Sequence, residues 1–237
     1  TSNTTGTYNT AIGYQALDAN TTAQGNTAVG ADALGANTTG HSSVAFGQGA
    51  CQLQTTGSTS TGLGYYALYK NVTGVQNTGV GHAALEDCTT STVTGVGYNA
   101  LKEVSTGDGN TAIGGGAGVT ITTGARNTIL GAQSDASASS STHQIVIGYT
   151  ITGVADSTVT IGSASGTASL GLDGSDTSWA AASDERLKEN ITTSTAGLSF
   201  INDLRPITFN WKKAGEVPED MSQYIEGSEE PCLGPEY

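Results

Sequence analysis

Asn26-Thr27-Ala28-Val29-Gly30 is one copy of a pattern that runs through most of the chain. Its glycines mark the period. Gly13, Gly30, Gly47, Gly64 and Gly81 are each 17 residues apart, Gly97 follows after 16, and Gly114, Gly131 and Gly148 return to 17. Just before the glycine stands Ile12, Val29, Phe46, Leu63, Val80, Val96, Ile113, Leu130 or Ile147. Four residues before it stands Asn9, Asn26, Asn77, Asn110 or Asn127, with Ser43 and Ser60 as substitutes. An Ala-Leu pair follows, as in Ala16-Leu17, Ala33-Leu34 and Ala67-Leu68. A polar corner such as Asn20-Thr21-Thr22 or Asn37-Thr38-Thr39 closes the unit.

Asn-Thr-Ala-Val alternates outward and inward side chains with period 2, the signature of a strand. The glycine permits a sharp turn and a close approach to a neighbouring coil. The Ala-Leu pair predicts a second, short inward segment, and Asn-Thr-Thr supplies turn chemistry. One unit buries too few apolar side chains to fold alone, so the units must stack and share a core. The expectation is an all-β fold, a repetitive parallel β-solenoid of the β-roll or β-helix kind, about 40 Å long at ~4.8 Å per coil. Its Ala- and Gly-filled core is thin, which predicts lateral association into a trimer. Asn9, Asn26, Asn77, Asn110 and Asn127 are expected to form a structural ladder along the axis, each amide bonding the next layer.

The chain has 237 residues and 34 glycines, with Lys+Arg 8 against Asp+Glu 21 and a net charge of −13. That balance argues against nucleic acid and anionic membrane surfaces, which need basic patches. No apolar run reaches the ~18 residues of a membrane span, so membrane insertion is not expected. The chain opens on Thr1 inside a repeat, which predicts a longer polypeptide. Cys51 and Cys88 lie two repeats apart at different repeat positions, ~10 Å apart and too far to bridge. Cys51 stands in a slot that is otherwise Leu, so it reads as a small buried hydrophobe.

From Ser134 the period loosens. Gln144 to Gly148 and Thr158 to Gly162 are richer in β-branched residues and read as better strands, and Leu170 to Gly174 reads as a hairpin or bend. The expected organisation is a repeat shaft over 1–133, a tapering β neck over 134–182, and a different kind of sequence, charged and aromatic, over 183–237. Residues 213–237, rich in acids and proline, read as an exposed loop.

That last region opens with Ser183-Asp184-Glu185-Arg186-Leu187-Lys188. A short amphipathic helix is predicted over 195–204, stopped by Arg205-Pro206, and a strand over 207–212. Taken alone, Ser183 also suits a helix N-cap. The order resembles the start of the intramolecular chaperone and auto-processing domain of endosialidases and other phage tail spikes and fibres, whose Ser-Asp-x-Arg-x-Lys motif is matched by Ser183, Asp184, Arg186 and Lys188. The repeats are similar to the head repeats of trimeric autotransporter adhesins. The resemblance implies a small α+β chaperone-type domain, incomplete here, that directs homotrimer formation. It also implies self-cleavage between Ala182 and Ser183, with Ser183, Asp184, Arg186 and Lys188 as the catalytic set in a single-turnover event. It places the protein in a virion or on an extracellular surface. Other virion tail proteins and a host surface receptor or glycan are the implied partners.

Other chemistry finds no foothold in the pattern. His41, His82 and His143 have no metal-ligand spacing, so neither a metal nor a cofactor is expected. Glu86-Asp87 is an adjacent acidic pair without a facing partner, which a glycosidase needs. Asn20, Asn37, Asn71 and Asn190 begin Asn-x-Thr sequons, but in the repeats the corner itself calls for Asn. Ice binding wants flat rows of Thr-x-Thr, which these units lack. A cell-surface adhesin would end in a membrane-anchoring barrel rather than in the Ser183 motif. A structural and adhesive fibre of a phage or related virus is the expectation, with a cell-surface trimeric adhesin or an extracellular β-solenoid filament protein as the alternative.

Overall fold

The structure is a computed structural model that describes residues 2–172, 174, 180–181, 212–217, 224 and 226–230. The chain divides into two compact units, Thr1–Ser183 and Asp184–Tyr237. The first is an all-β parallel solenoid, as the repeat predicts. Each unit contributes one three-residue strand: β1 (Thr10–Ile12), β2 (Thr27–Val29), β3 (Val44–Phe46), β4 (Thr61–Leu63), β5 (Thr78–Val80), β6 (Thr94–Val96), β7 (Thr111–Ile113) and β8 (Thr128–Leu130). The longer β9 (Ile145–Tyr149) and β10 (Thr158–Ser163) continue the parallel ladder. Equivalent residues pair, as in Thr27↔Val44, Ala28↔Ala45 and Val29↔Phe46. The 16-residue coil keeps this register, with Thr78↔Thr94 and Val80↔Val96. Its missing residue falls in the corner between Cys88 and Val93, where no strand is disturbed.

The chain then reverses twice. β11 (Gly166–Gly171) runs antiparallel to β10 around Ala164-Ser165, a hairpin the sequence pattern did not reveal. β12 (Ala180–Ala181) runs antiparallel to β11. In the second unit a 3-10 turn spans Ala214–Glu216, and the Ala214 N–H donates to the Glu230 carbonyl at 2.8 Å. Ala214 and Val217 are buried, so the acidic stretch is not exposed throughout. The helix predicted over 195–204 and nearly all of the strand predicted over 207–212 lie outside the described residues.

The glycine of each repeat is held by two constraints. Gly30, Gly47, Gly64 and Gly81 have φ between 128° and 139°, a region that side chains avoid. A Cβ on Gly64 would also stand 2.6 Å from the carbonyl carbon of Gly81 in the next coil. After the glycine the backbone carries further left-handed residues, such as Asp32 (φ 60) and Leu34 (φ 50). Each costs about 1–2 kcal/mol. Burying a leucine returns about 1.5–3 kcal/mol. The Leu34 N–H also bonds the Ala50 carbonyl one coil on, at 3.0 Å. The balance for a lone coil is near zero, and the stack supplies the rest.

The interior is narrow. Strand centres Ala28, Ala45 and Ala112 are buried, as are Leu34, Leu68, Leu85 and Leu101. Where the strand centre is Gly79 or Gly95, an added Cβ would lie 3.1 or 3.0 Å from the Cγ of Leu68 or Leu85. Small residues on one side thus make room for Leu on the other.

Polar groups line the rest of the core. Asn9, Asn26, Asn77, Asn110 and Asn127 recur at one slot, and all but Asn9 are buried there. Their Oδ1 atoms accept backbone N–H groups one coil on: Asn26 to Asn9 at 3.0 Å, Ser43 to Asn26 at 2.9 Å, Val93 to Asn77 at 2.9 Å and Asn127 to Asn110 at 3.0 Å. Their Nδ2 groups donate to the corner carbonyls that follow, as from Asn26 to Gly40 at 2.8 Å and from Asn110 to Gly124 at 2.7 Å. Within this column one bond joins amide to amide, Asn127 Nδ2 to Asn110 Oδ1 at 3.0 Å. Asn37 and Asn71 are buried at the corners, with Nδ2 on the Gly40 and Gly74 carbonyls at 2.9 and 3.1 Å. The sequons at Asn20, Asn37 and Asn71 therefore point into the folded core, and Asn190 lies outside the described residues.

Gly64→Ala is expected to destabilise the rod by more than ~1 kcal/mol, because the new methyl meets backbone at a positive φ. Gly115→Ala, with open space at its Cβ and no positive φ, should be neutral. Urea unfolding followed by circular dichroism measures both.

Candidate functional site

Period-2 alternation leaves two possible phases, and the solenoid adopts the less obvious one. Asn and Ala point inward, whereas Thr and the large aliphatic residue before each glycine point outward. Ile12, Phe46, Leu63, Ile113, Leu130 and Ile161 are all exposed, Ile12 and Phe46 by 60% and 54%. In-register pairing stacks them with Val29, Val80, Val96 and Ile147 into one column. A second column beside it is Thr10, Thr27, Val44, Thr61, Thr78, Thr94, Thr111 and Thr128. A continuous apolar stripe of this length exceeds the singly scattered hydrophobics of an ordinary protein surface. The repeat made these residues visible, but not their direction, because a run of aliphatics at fixed spacing reads equally well as core.

Charged and aromatic side chains gather after the glycines of the middle coils. Tyr65, His82 and Tyr98 stack on one another, and Tyr66 packs on Tyr65 and Tyr69. Lys70 pairs with Asp87 at 2.8 Å and Lys102 with Glu86 at 3.3 Å. The adjacent acids Glu86 and Asp87 are thus members of surface ion pairs. His41 lies beside the Ser42 hydroxyl at 3.4 Å and His143 beside Arg126 at 3.5 Å. Among the described residues no cluster of His, Cys, Asp and Glu fits a metal ion, and no helix is long and apolar enough to cross a membrane. Cys51 and Cys88 are free and buried. Burial pushes the Cys51 thiol up to about 12 and the Cys88 thiol up to about 11.

The predicted cleavage and catalytic residues Ala182, Ser183, Asp184, Arg186 and Lys188 lie outside the described residues. The comparison with protein families falls on this same stretch. Residues 183–224 match the model of the family described as chaperone of endosialidase. The match begins at the serine of the Ser-Asp-x-Arg-x-Lys motif, and for these residues it bears out the resemblance drawn from that motif. Together with the β-solenoid it fits a phage tail fibre that carries an intramolecular chaperone segment. No curated protein and no solved structure matches the chain.

In a Cys232→Ser variant, neither remaining thiol should react with a disulfide reagent at pH 8 until denaturant unfolds the coils. Stability should also fall as the pH rises above the ordinary thiol value of 9.0, since the folded state holds protons there that the unfolded chain releases. Thiol titration and urea midpoints across pH check the two expectations.

Proposed function

We propose that the chain is a shaft segment of a homotrimeric tail fibre or spike of a phage or related virus. It serves in host attachment, and its chaperone segment from Ser183 onward directs assembly. The observation that carries the proposal is the outward aliphatic column. Three parallel copies that turn this face to a common axis cover it, and each aliphatic side chain fully buried is worth about 1.5–3 kcal/mol. The stacked coils already enclose their own Leu, Ala, Gly and Asn interior, so this outward column is the large apolar surface that the single chain leaves uncovered.

Assembly in this arrangement has a register problem. A slip of one coil sets one aliphatic residue against another, because neighbouring repeats are nearly alike. Phe46 and the 16-residue coil carry the main register information in the column. A segment that trimerises first supplies the remainder, and the family match at 183–224 supports that role. The partners in this proposal are two further copies of the chain, other virion tail proteins and a host surface receptor or glycan. The location is the virion.

Self-cleavage belongs to the same proposal. The Ser183 hydroxyl attacks the Ala182 carbonyl, and Lys188, in its neutral form, takes the hydroxyl proton. The Ala182–Ser183 amide bond breaks as an ester forms on Ser183 Oγ, Lys188 passes the proton on to the departing Ser183 nitrogen, which becomes a free amine, and water then hydrolyses the ester. A lysine works as a base near neutral pH when burial or a neighbouring cation such as Arg186 lowers its pKa. Asp184 turned away from Lys188 leaves that shift intact. The event is a single turnover that reports correct assembly.

The full-length gene should yield trimers by sedimentation and two fragments by mass spectrometry, the smaller beginning at Ser183. Ser183→Ala and Lys188→Ala should stay whole. Removal of residues 183 onward should give monomers or aggregates, and efficient trimerisation without them defeats the chaperone role. Leu63→Asp together with Leu130→Asp should abolish the trimer and leave the β-sheet circular dichroism of the coils unchanged, because both side chains already face outward.

A further inference from the structure

One side chain is missing from the aromatic stack. The position after the repeat glycine holds Tyr65, His82 and Tyr98 in three successive coils, and then Gly115. Ring centroids lie 5.1 Å apart from Tyr65 to His82 and 5.3 Å from His82 to Tyr98, with planes inclined by 25° and 29°. Each ring covers the one before it. Beyond Tyr98 the cover stops, for a Cβ on Gly115 would meet no atom within 4 Å. Gly116 stands at the next position, where the neighbouring coils hold Asn99 and Gln133.

The two glycines floor a notch of about 450 Å³ in the side of the solenoid. Tyr98, 61% exposed, forms one wall. Gln133 and Asp135 line it from the coil beyond, and Asn99 lies beside the tyrosine. The Asn99 Oδ1 is buried and has no hydrogen-bond partner. Asp135 accepts the Thr120 N–H on Oδ2 at 3.0 Å and the Ala136 N–H on Oδ1 at 2.9 Å, so its carboxylate is fixed in place with lone pairs to spare. The notch thus combines an exposed aromatic ring, the Gln133 amide and an oriented acceptor, on a floor that any larger residue would fill.

These groups select a ligand class. A pyranose ring has an apolar C–H face to lie on an aromatic ring and a rim of hydroxyls that both donate and accept. Amides and carboxylates serve such a rim well. No cation lines the notch, and Glu103 adds negative charge near Asp135, so phosphate, sialate and uronate groups are disfavoured. We propose that the notch between Tyr98 and Gly115 binds one neutral pyranose unit of a surface glycan. For its biological role this rests on the host attachment proposed above, but the site stands on its own geometry. A single shallow subsite binds weakly, at about millimolar Kd, and three copies on one fibre raise the avidity.

The test uses the full chain and saturation-transfer NMR. The probes are the methyl glycosides of glucose, galactose, mannose and N-acetylglucosamine, the methyl glycoside of sialic acid as an anionic control, and lysine amide as a cationic one. At least one neutral glycoside should receive saturation. Gly115→Tyr continues the aromatic stack into the notch without backbone strain and should lower that affinity more than tenfold, with unchanged circular dichroism. Tyr98→Ala should do the same, and Gln133→Ala should weaken binding several-fold. Silence from every neutral glycoside, an undiminished signal in Gly115→Tyr, or a stronger signal from sialoside or lysine amide overturns the proposal. Sedimentation of the same samples separates the two proposals. A trimer that binds no neutral sugar defeats the notch and leaves the fibre, whereas a monomer that binds one defeats the fibre and leaves the notch.

Discussion

Backbone stacked on backbone at the repeat glycine is the contact on which the solenoid depends. At Gly30, Gly47, Gly64 and Gly81 the chain turns with φ near 130–140°, and the next coil's glycine carbonyl occupies the place of a Cβ. Only glycine satisfies both demands. Because the coils touch there without an intervening side chain, their spacing is set by the main chain. Everything else follows at that spacing: in-register β1 to β9, the Leu N–H ladder on the opposite side, and the Asn amides that reach from one coil to the next.

That spacing also explains an interior unlike an ordinary hydrophobic core. The coil is too narrow for large side chains on both walls, so Leu faces Ala or Gly. Backbone N–H groups between strand and corner cannot reach water, and an unmet one costs about 1–3 kcal/mol. The buried Asn side chains meet them, accepting with Oδ1 and donating with Nδ2 in the same stroke. The aliphatic residue before each glycine sits on the opposite side of the strand from that interior, and these residues gather on the outer face. The same geometry that makes a single chain foldable in stacks therefore leaves an apolar column on its outside.

The notch beside Tyr98 arises from the same regularity. In a solenoid, residues 17 apart in sequence become neighbours, so one substitution in a column opens a gap flanked by its predecessor and successor. Gly115 breaks a column of aromatic rings and leaves a bare face beside Gln133 and Asp135. Variation confined to outward positions lets such a rod carry a binding site without disturbing the glycine contact that holds it together.

The sequence by itself determined the period, the parallel solenoid and the position of the glycine turn, because each repeat states the same constraint again. It also determined the family resemblance at Ser183, which a contiguous motif carries. Cys51 and Cys88 were legible as unpaired from their different repeat slots. Only the tertiary structure decided which way Val29 and its equivalents point. Alternation sets a period of two but no phase, and the phase depends on how much room one coil encloses. The hairpin at Ala164-Ser165 was also beyond the pattern, since those residues carry none of the Gly or Asn chemistry that marks a tight turn. The notch needed the fold as well: Tyr98, Gly115 and Gln133 meet only because the coils stack at backbone distance, and nothing local in the sequence joins them.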